Sequence, residues 1–224
     1  MSPVDGYHND TPDPKHHWER VYRTSGPEQR SWFQREARLS GELIQQVAPD
    51  RDAAIIDVGA GASTLVDGLL RAGYRHLTVL DLAAAALTEA QRRVGAAASA
   101  VEWREADVLS APLPPAAFGV WHDRAVFHFL TAPADRARYV AQVRRAVRPD
   151  GYVLVATFAE DGPTRCSGLD VMRYSPVTLH AQFGEDFRLL ESRREEHRTP
   201  SGAVQAFAYA LCRYEPRDRA RSPA

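Results

Sequence analysis

The run Ile55-Ile56-Asp57-Val58-Gly59-Ala60-Gly61-Ala62-Ser63 constrains the fold more than any other. An apolar, β-branched stretch ends beside an acid and breaks into small residues. Leu65, Val66, Leu69 and Leu70 then fall on one helical face. Strand, tight turn and helix in that order open a nucleotide-binding α/β unit. Gly59 and Gly61 lack side chains, so backbone N–H groups and the helix start can come close to a ligand. A nucleoside-containing ligand is expected.

Two features argue against a dinucleotide. The phosphate fingerprint G-x-G-x-x-G needs a third glycine, but Thr64 stands three residues after Gly61. Asp57 also places a carboxylate beside the loop, which repels a pyrophosphate and suits a cation. No Gly-Lys-Ser/Thr follows, so a Walker-type phosphate loop is absent. S-adenosylmethionine carries an ammonium and a sulfonium and no phosphate.

Further acids recur at strand ends. Leu77-Thr78-Val79-Leu80-Asp81 reads as a second buried strand, and Asp81, followed by Leu82, has the spacing of a ribose-gripping carboxylate. Val101 to Val108 reads as a third, with Asp107 to accept from an adenine amino group and Val108 as an apolar wall. Asp57-Val58-Gly59-Ala60-Gly61, then Asp81, then Asp107-Val108, is similar to the class I, seven-β-strand, S-adenosylmethionine-dependent methyltransferases. The resemblance covers roughly residues 16 to 213. Ser63 stands where many members have a third loop glycine.

The alternation along the chain agrees with an α/β class: strand 53–58, helix 62–72, strand 76–81, helix 84–94, strands 100–104 and 117–122, helix 134–147, strand 151–158. Such alternation implies a parallel sheet covered on both faces. Pro149-Asp150-Gly151 is expected to stop the long helix and turn the chain into the fifth strand. A helix near 176–183 and an antiparallel hairpin of 186–197 and 203–213 follow. The resemblance implies a Rossmann-like, doubly wound, mostly parallel seven-stranded sheet of order 3-2-1-4-5-7-6, its last hairpin antiparallel. Helices are expected at His17–Arg23 and Trp32–Val47. Residues 1–14 and 214–224 are too rich in Pro, Gly and charge to offset their ordering entropy, and read as disordered tails. That leaves a methyltransferase domain over 15–213, with a helical lid at 15–48.

Ligands of open α/β sheets sit beyond the carboxyl ends of the strands. Strand four delivers Trp121-His122-Asp123-Arg124-Ala125-Val126-Phe127-His128-Phe129 to that edge. Methyl transfer is an in-line displacement, and alignment alone can supply about 7–11 kcal/mol. A base matters only where the acceptor must lose a proton, and His122, Asp123 and His128 are the candidates. Each has a plainer reading: His122 capping the strand, Asp123 fixing the loop backbone and the cofactor, His128 packing in an apolar run. Arg124 could pair with Asp123 or with an acidic substrate. His17-Trp18-Glu19-Arg20-Val21-Tyr22 and Ser31-Trp32-Phe33 are similar to the N-terminal lid of small bacterial methyltransferases and of seven-strand lysine methyltransferases. The resemblance implies that Trp32 covers the cofactor. The long polar stretch 157–169 after strand five, with Glu160, Asp161 and Cys166, has the length of a substrate gate.

Net charge of −1 and the absence of a basic stripe with aromatics argue against nucleic acid, and no Asn-Pro-Pro-Tyr-type motif ends strand four. No apolar run reaches the ~20 residues a bilayer needs. Cys166 and Cys212 fit no metal spacing and suit a reduced cytosol. The expectation is a monomeric or weakly dimeric cytoplasmic enzyme that methylates a small molecule and holds no metal. The alternatives are a protein-lysine methyltransferase, favoured by the lid and by the likeness of Asp123-Arg124-Ala125 to the Asp-Lys-Gly turn of the lysine enzymes, and a non-catalytic cofactor-binding protein.

Overall fold

Ile55–Val58 (β1) is buried on both faces, and such a strand belongs inside a covered sheet. The computed structural model describes residues 13–217, and in it β1 lies between Leu77–Asp81 (β2) and Phe118–Arg124 (β4). Val101–Glu105 (β3) flanks β2, and Val147–Phe158 (β5) flanks β4. All these pairings are parallel. Two short strands, Arg165–Cys166 (β6) and Leu169–Asp170 (β7), form a separate antiparallel pair. Phe187–Arg198 (β8) and Val204–Tyr214 (β9) complete the main sheet, with β9 antiparallel to β5 and to β8. The order is β3-β2-β1-β4-β5-β9-β8. Without the small pair, this is the expected 3-2-1-4-5-7-6.

Six α-helices are described: Pro14–Thr24 (α1), Arg38–Val47 (α2), Leu65–Arg71 (α3), Ala84–Val94 (α4), Pro133–Ala146 (α5) and Pro176–Ala181 (α6). Strand side chains alternate between faces. Ile56, Val58, Trp121 and Val155 therefore pack with Tyr139 and Val143 of α5 on one side. Ile55, Val120 and Leu154 pack with Leu43 and Ile44 of α2 and Leu65 of α3 on the other. Two residues past Ile55 and Val120 the same alternation sends Asp57 and His122 to the α2 side, and their Cα atoms are register partners.

Several expected boundaries differ. The second helix begins at Arg38, not Trp32. The carbonyls of Trp32 and Gln34 accept instead from Arg124 Nη1 at 3.3 Å and Thr64 Oγ1 at 3.2 Å, so they are bonded outside the segment. Pro149-Asp150-Gly151 does not end the long helix, which stops at Ala146. It lies inside β5, where the register against β4 is irregular and Asp150 has φ 62°. Val147 already pairs with Phe118, so the intervening polar residues bulge out. Thr157 and Phe158 belong to β5, and β6 and β7 interrupt the stretch expected as loop. At the ends, Pro14 starts α1, capped by the Asp13 carboxylate, and Tyr214 ends β9. The rest of both expected tails, 1–12 and 218–224, lies outside the described residues.

Candidate functional site

The loop after β1 is built for close approach. Gly59 and Gly61 both have φ +55°, a conformation costly for other residues. A Cβ on Gly59 would fall 1.9 Å from Val126 Cγ2, and one on Gly61 would fall 1.9 Å from Tyr22 Oη. The Ala60 N–H donates to Leu80 O at 3.2 Å. Arg93 reaches back from α4, its Nη1 donating to Ala62 O at 2.7 Å while its Nη2 pairs with Asp67 at 2.7 Å. The loop shape is thus held from both sides without a third glycine.

Two buried carboxylates flank this loop. Asp81 accepts from the Gly61 N–H at 2.7 Å through Oδ2 and from the Ala83 N–H at 2.8 Å through Oδ1. Burial, with the nearby Asp57 charge adding to it, pushes Asp81 up to about 6 despite these backbone bonds. Asp57 Oδ1 lies 2.6 Å from His122 Nδ1, while its buried Oδ2 has no partner. The Ala106 N–H donates to Asp81 O at 2.9 Å, bringing the end of β3 alongside. There Asp107 is exposed, its Oδ1 accepting from the Leu109 N–H at 2.9 Å, and Val108 is buried. Leu82 and Ala60 are half-buried beside the loop.

The residues at and just past the end of β4 occupy four environments. Asp123 is buried and accepts from the Val126 N–H at 2.9 Å, the Phe127 N–H at 3.1 Å and the Tyr139 hydroxyl at 2.6 Å. Burial raises its carboxyl to about 6, with the Tyr139 bond opposing. His122 has both ring nitrogens engaged, by Asp57 and by Ser40 Oγ at 2.9 Å. His128 is buried against the Phe129 and Phe158 rings. Its Nδ1 accepts from the Phe158 N–H at 3.4 Å, and its Nε2 has no partner. Burial, then the Arg124 charge, lowers His128 to about 3. Arg124 pairs with Glu195 at 3.2 Å rather than with Asp123, donates to Tyr209 Oη at 3.0 Å and lies over the Phe207 ring.

An aromatic roof closes the site. Trp18 meets Trp32 edge-on at 5.8 Å and Phe129 at 5.1 Å, and Tyr22 meets Trp32 at 6.4 Å. Burial and the Asp81 charge hold the Tyr22 hydroxyl well above its ordinary value. Glu19 accepts from the Ala85 N–H at 3.3 Å, and Arg30 pairs with Glu89 at 2.7 Å, so α1 and the turn after it are tied to α4. Cys166 is a buried free cysteine whose thiol is pushed up to about 12 by burial, which keeps it protonated at neutral pH. Asp161 pairs with Arg194.

Sequence reading missed Ser40, Arg93, Tyr139, Glu195 and Tyr209. Ser40 carried a signal: it shares the α2 stripe with Leu43, Ile44 and Val47, and a hydroxyl on an apolar face needs a partner. The others act across the fold and have no local signature.

Residues 55–151 match the family model described as a methyltransferase domain. The ubiquinone/menaquinone biosynthesis C-methyltransferase UbiE of Roseobacter denitrificans is 30% identical over 62% of this chain and 56% of its own length. The eEF1A lysine and N-terminal methyltransferase of Danio rerio is 24% identical over 75% of this chain and 25% of its own. The chain thus spans from a quarter to just over half of these curated relatives. Among solved structures, the 1,6-didemethyltoxoflavin-N1-methyltransferase of Burkholderia thailandensis, bound to its namesake substrate and S-adenosylhomocysteine, superposes with a TM-score of 0.72 at 20% identity. The match covers 96% of this chain and 93% of that one.

Proposed function

We propose that this chain, which has the class I methyltransferase fold and matches a methyltransferase-domain model over residues 55–151, transfers a methyl group from S-adenosylmethionine to a small-molecule acceptor. The observation that carries the reading is the pair of buried acids, Asp57 and Asp81, around a glycine loop, with Asp57 Oδ2 unpartnered. A buried unmatched carboxylate oxygen asks for a cationic donor, and the ammonium of the cofactor supplies one. Asp81 takes the ribose, Val108 and Leu82 wall the adenine, Asp107 accepts at its edge, and Trp32 covers the methionine end. Asp123 holds the turn that brings Val126 against Gly59.

When bound, S-adenosylmethionine supplies an electrophilic methyl group on its sulfonium. Alignment of the acceptor then provides the main catalytic contribution, on the order of 7–11 kcal/mol. Among His122, Asp123 and His128, none is arranged as a free base. His122 and Asp123 have their polar atoms engaged, and the Phe158 N–H at Nδ1 leaves the single proton of a neutral His128 on Nε2. His128 therefore carries its proton on a buried, unpartnered Nε2 rather than offering a lone pair there, and the acceptor attacks with a lone pair it already has. The roof of Trp18, Trp32 and Phe129 favours a compact acceptor. The named functions of the Roseobacter and Burkholderia proteins also concern small molecules. The buried thiols of Cys166 and Cys212 suit a reducing cytoplasm, and we assign a monomer or weak dimer.

The test is release of S-adenosylhomocysteine by the full chain against amines, thiols, carboxylates and phenols, with lysine peptides in parallel. Turnover of a small molecule is expected. Turnover of lysine peptides alone replaces the acceptor class with the one named for the Danio relative. Tight cofactor binding with no turnover of any acceptor leaves a binding protein instead.

A further inference from the structure

Ser40, His122 and Asp57 form a continuous buried chain. Ser40 Oγ lies 2.9 Å from His122 Nε2, and His122 Nδ1 lies 2.6 Å from Asp57 Oδ1. Their order is that of a hydrolase triad, but Ser40 lies on the buried face of α2 and is 1% exposed, so no acyl group can reach it. The chain needs another purpose. An ionised carboxylate only accepts, so His122 Nδ1 donates to Asp57 Oδ1. In the neutral ring the Ser40 hydroxyl then donates to Nε2. Ser40 in turn sits beside the Tyr209 hydroxyl, which donates to Glu195 at 3.0 Å. Elements from both ends of the chain, α2 and β9, thereby fix one carboxylate oxygen at the end of β1.

The other oxygen is the informative one. Asp57 Oδ2 is buried without a partner, two residues before Gly59, and the Asp57 charge is felt at Asp81, which accepts from the loop itself. We propose that Ser40 and His122 are positioning residues that clamp Asp57 by one oxygen so that the other stays aimed at the cofactor's ammonium group. This rests on the cofactor reading above and assigns His122 a role other than proton transfer. A carboxylate free to rotate could satisfy both oxygens on protein donors; one held at Oδ1 keeps Oδ2 available, an orientation prepared before binding.

The test compares two ligands by calorimetry on the full-length chain: S-adenosylhomocysteine, which has the ammonium, and 5′-methylthioadenosine, which lacks it. Wild type is expected to bind both. His122→Phe should weaken S-adenosylhomocysteine by about tenfold or more, as expected for an unpaired buried charge contact, and leave methylthioadenosine within about twofold. His122→Asn, whose amide can donate from the Nδ1 position, should restore most of the loss. Ser40→Ala should weaken S-adenosylhomocysteine by roughly threefold, a fraction of one hydrogen bond, again sparing methylthioadenosine. Parallel loss of both ligands in His122→Phe and Ser40→Ala means a general structural role and overturns the clamp. So does unchanged affinity for S-adenosylhomocysteine in both. If His122→Phe does not fold, Ser40→Ala decides by the same ratio. Failure of wild type to bind either ligand overturns the cofactor reading as well, so the two failures are distinct.

Discussion

Asp81 shows how burial and function oppose each other at a single residue. Its folded carboxyl titrates at about 6 against an ordinary 3.8, chiefly through burial. A raised acid contributes stability that is fully present below 3.8 and lost as pH rises through about 6. Asp123 has the same sign and window. His128 opposes them: lowered from 6.5 to about 3, its contribution is present above 6.5 and lost as pH falls toward 3. Under the ribose role proposed for Asp81, ligand binding runs against this trend, because a carboxylate that accepts from ribose hydroxyls must be ionised. Affinity for S-adenosylmethionine, measured by calorimetry, should therefore fall as pH drops from 7 through about 6, and Asp81→Asn should flatten that limb. An unchanged pH profile in the variant would remove Asp81 from the ribose. Gly59 gives a second residue-scale outcome. Gly59→Ala meets Val126 at 1.9 Å and a left-handed backbone, so it should abolish detectable binding in the same assay while methyl donor still binds wild type.

At the scale of elements, the turn after β4 depends on a three-membered chain. Trp121 Nε1 donates to Tyr139 Oη at 2.9 Å, and Tyr139 donates to Asp123, which holds the Val126 and Phe127 N–H groups. Tyr139→Phe leaves the buried Trp121 N–H without a partner and strips Asp123 Oδ2 of one of its two donors, and should cost about 1–3 kcal/mol in urea unfolding. A cost near zero would mean that the turn stands without α5. Helix α1 makes the opposite demand, since Tyr22 packs against Gly61, and if the cofactor uses that loop as proposed, Tyr22 gives way as it exchanges. Tyr22→Ala should speed both association and release in stopped-flow fluorescence by roughly tenfold, the equivalent of about 1.4 kcal/mol of barrier. Unbroken apolar runs made β1 and β2 legible from sequence, because each is buried on both faces; α4, which buries one face, and the final hairpin with its turn residues were legible too. The second helix was overextended to Trp32, because Trp32 serves the roof and the Trp32 and Gln34 carbonyls bond to Arg124 and Thr64. The break of the long helix was likewise placed at Pro149, where the proline instead sits in a bulge of β5.

Over the whole molecule, the candidate site lies at the carboxyl ends of β1 and β4, where strand order reverses. The acids at strand tips could be found in the sequence because chain direction and sheet order put them there. What holds them could not, since Ser40 reaches His122 across 82 residues and Arg124 reaches Glu195 across 71. Spacing along a chain carries no record of such pairs, which form only when both faces of the sheet are covered. The proposed ligand contacts draw on the ends of β1, β2 and β3 and on the Trp32 segment between α1 and α2, so occupancy should stabilise the sheet as a unit. At one hundred times its dissociation constant, S-adenosylhomocysteine should add about 2.7 kcal/mol by mass action. For a chain of this size that raises the melting midpoint by about 5–11 °C. The rise should be equal by far-ultraviolet circular dichroism, which follows the sheet, and by tryptophan fluorescence, which includes the roof residues Trp18 and Trp32. A shift seen only in fluorescence would mean that ligand binds the roof without engaging Asp57 and Asp81, and a shift with NAD or ATP in its place would mean that these acids face no cation at all.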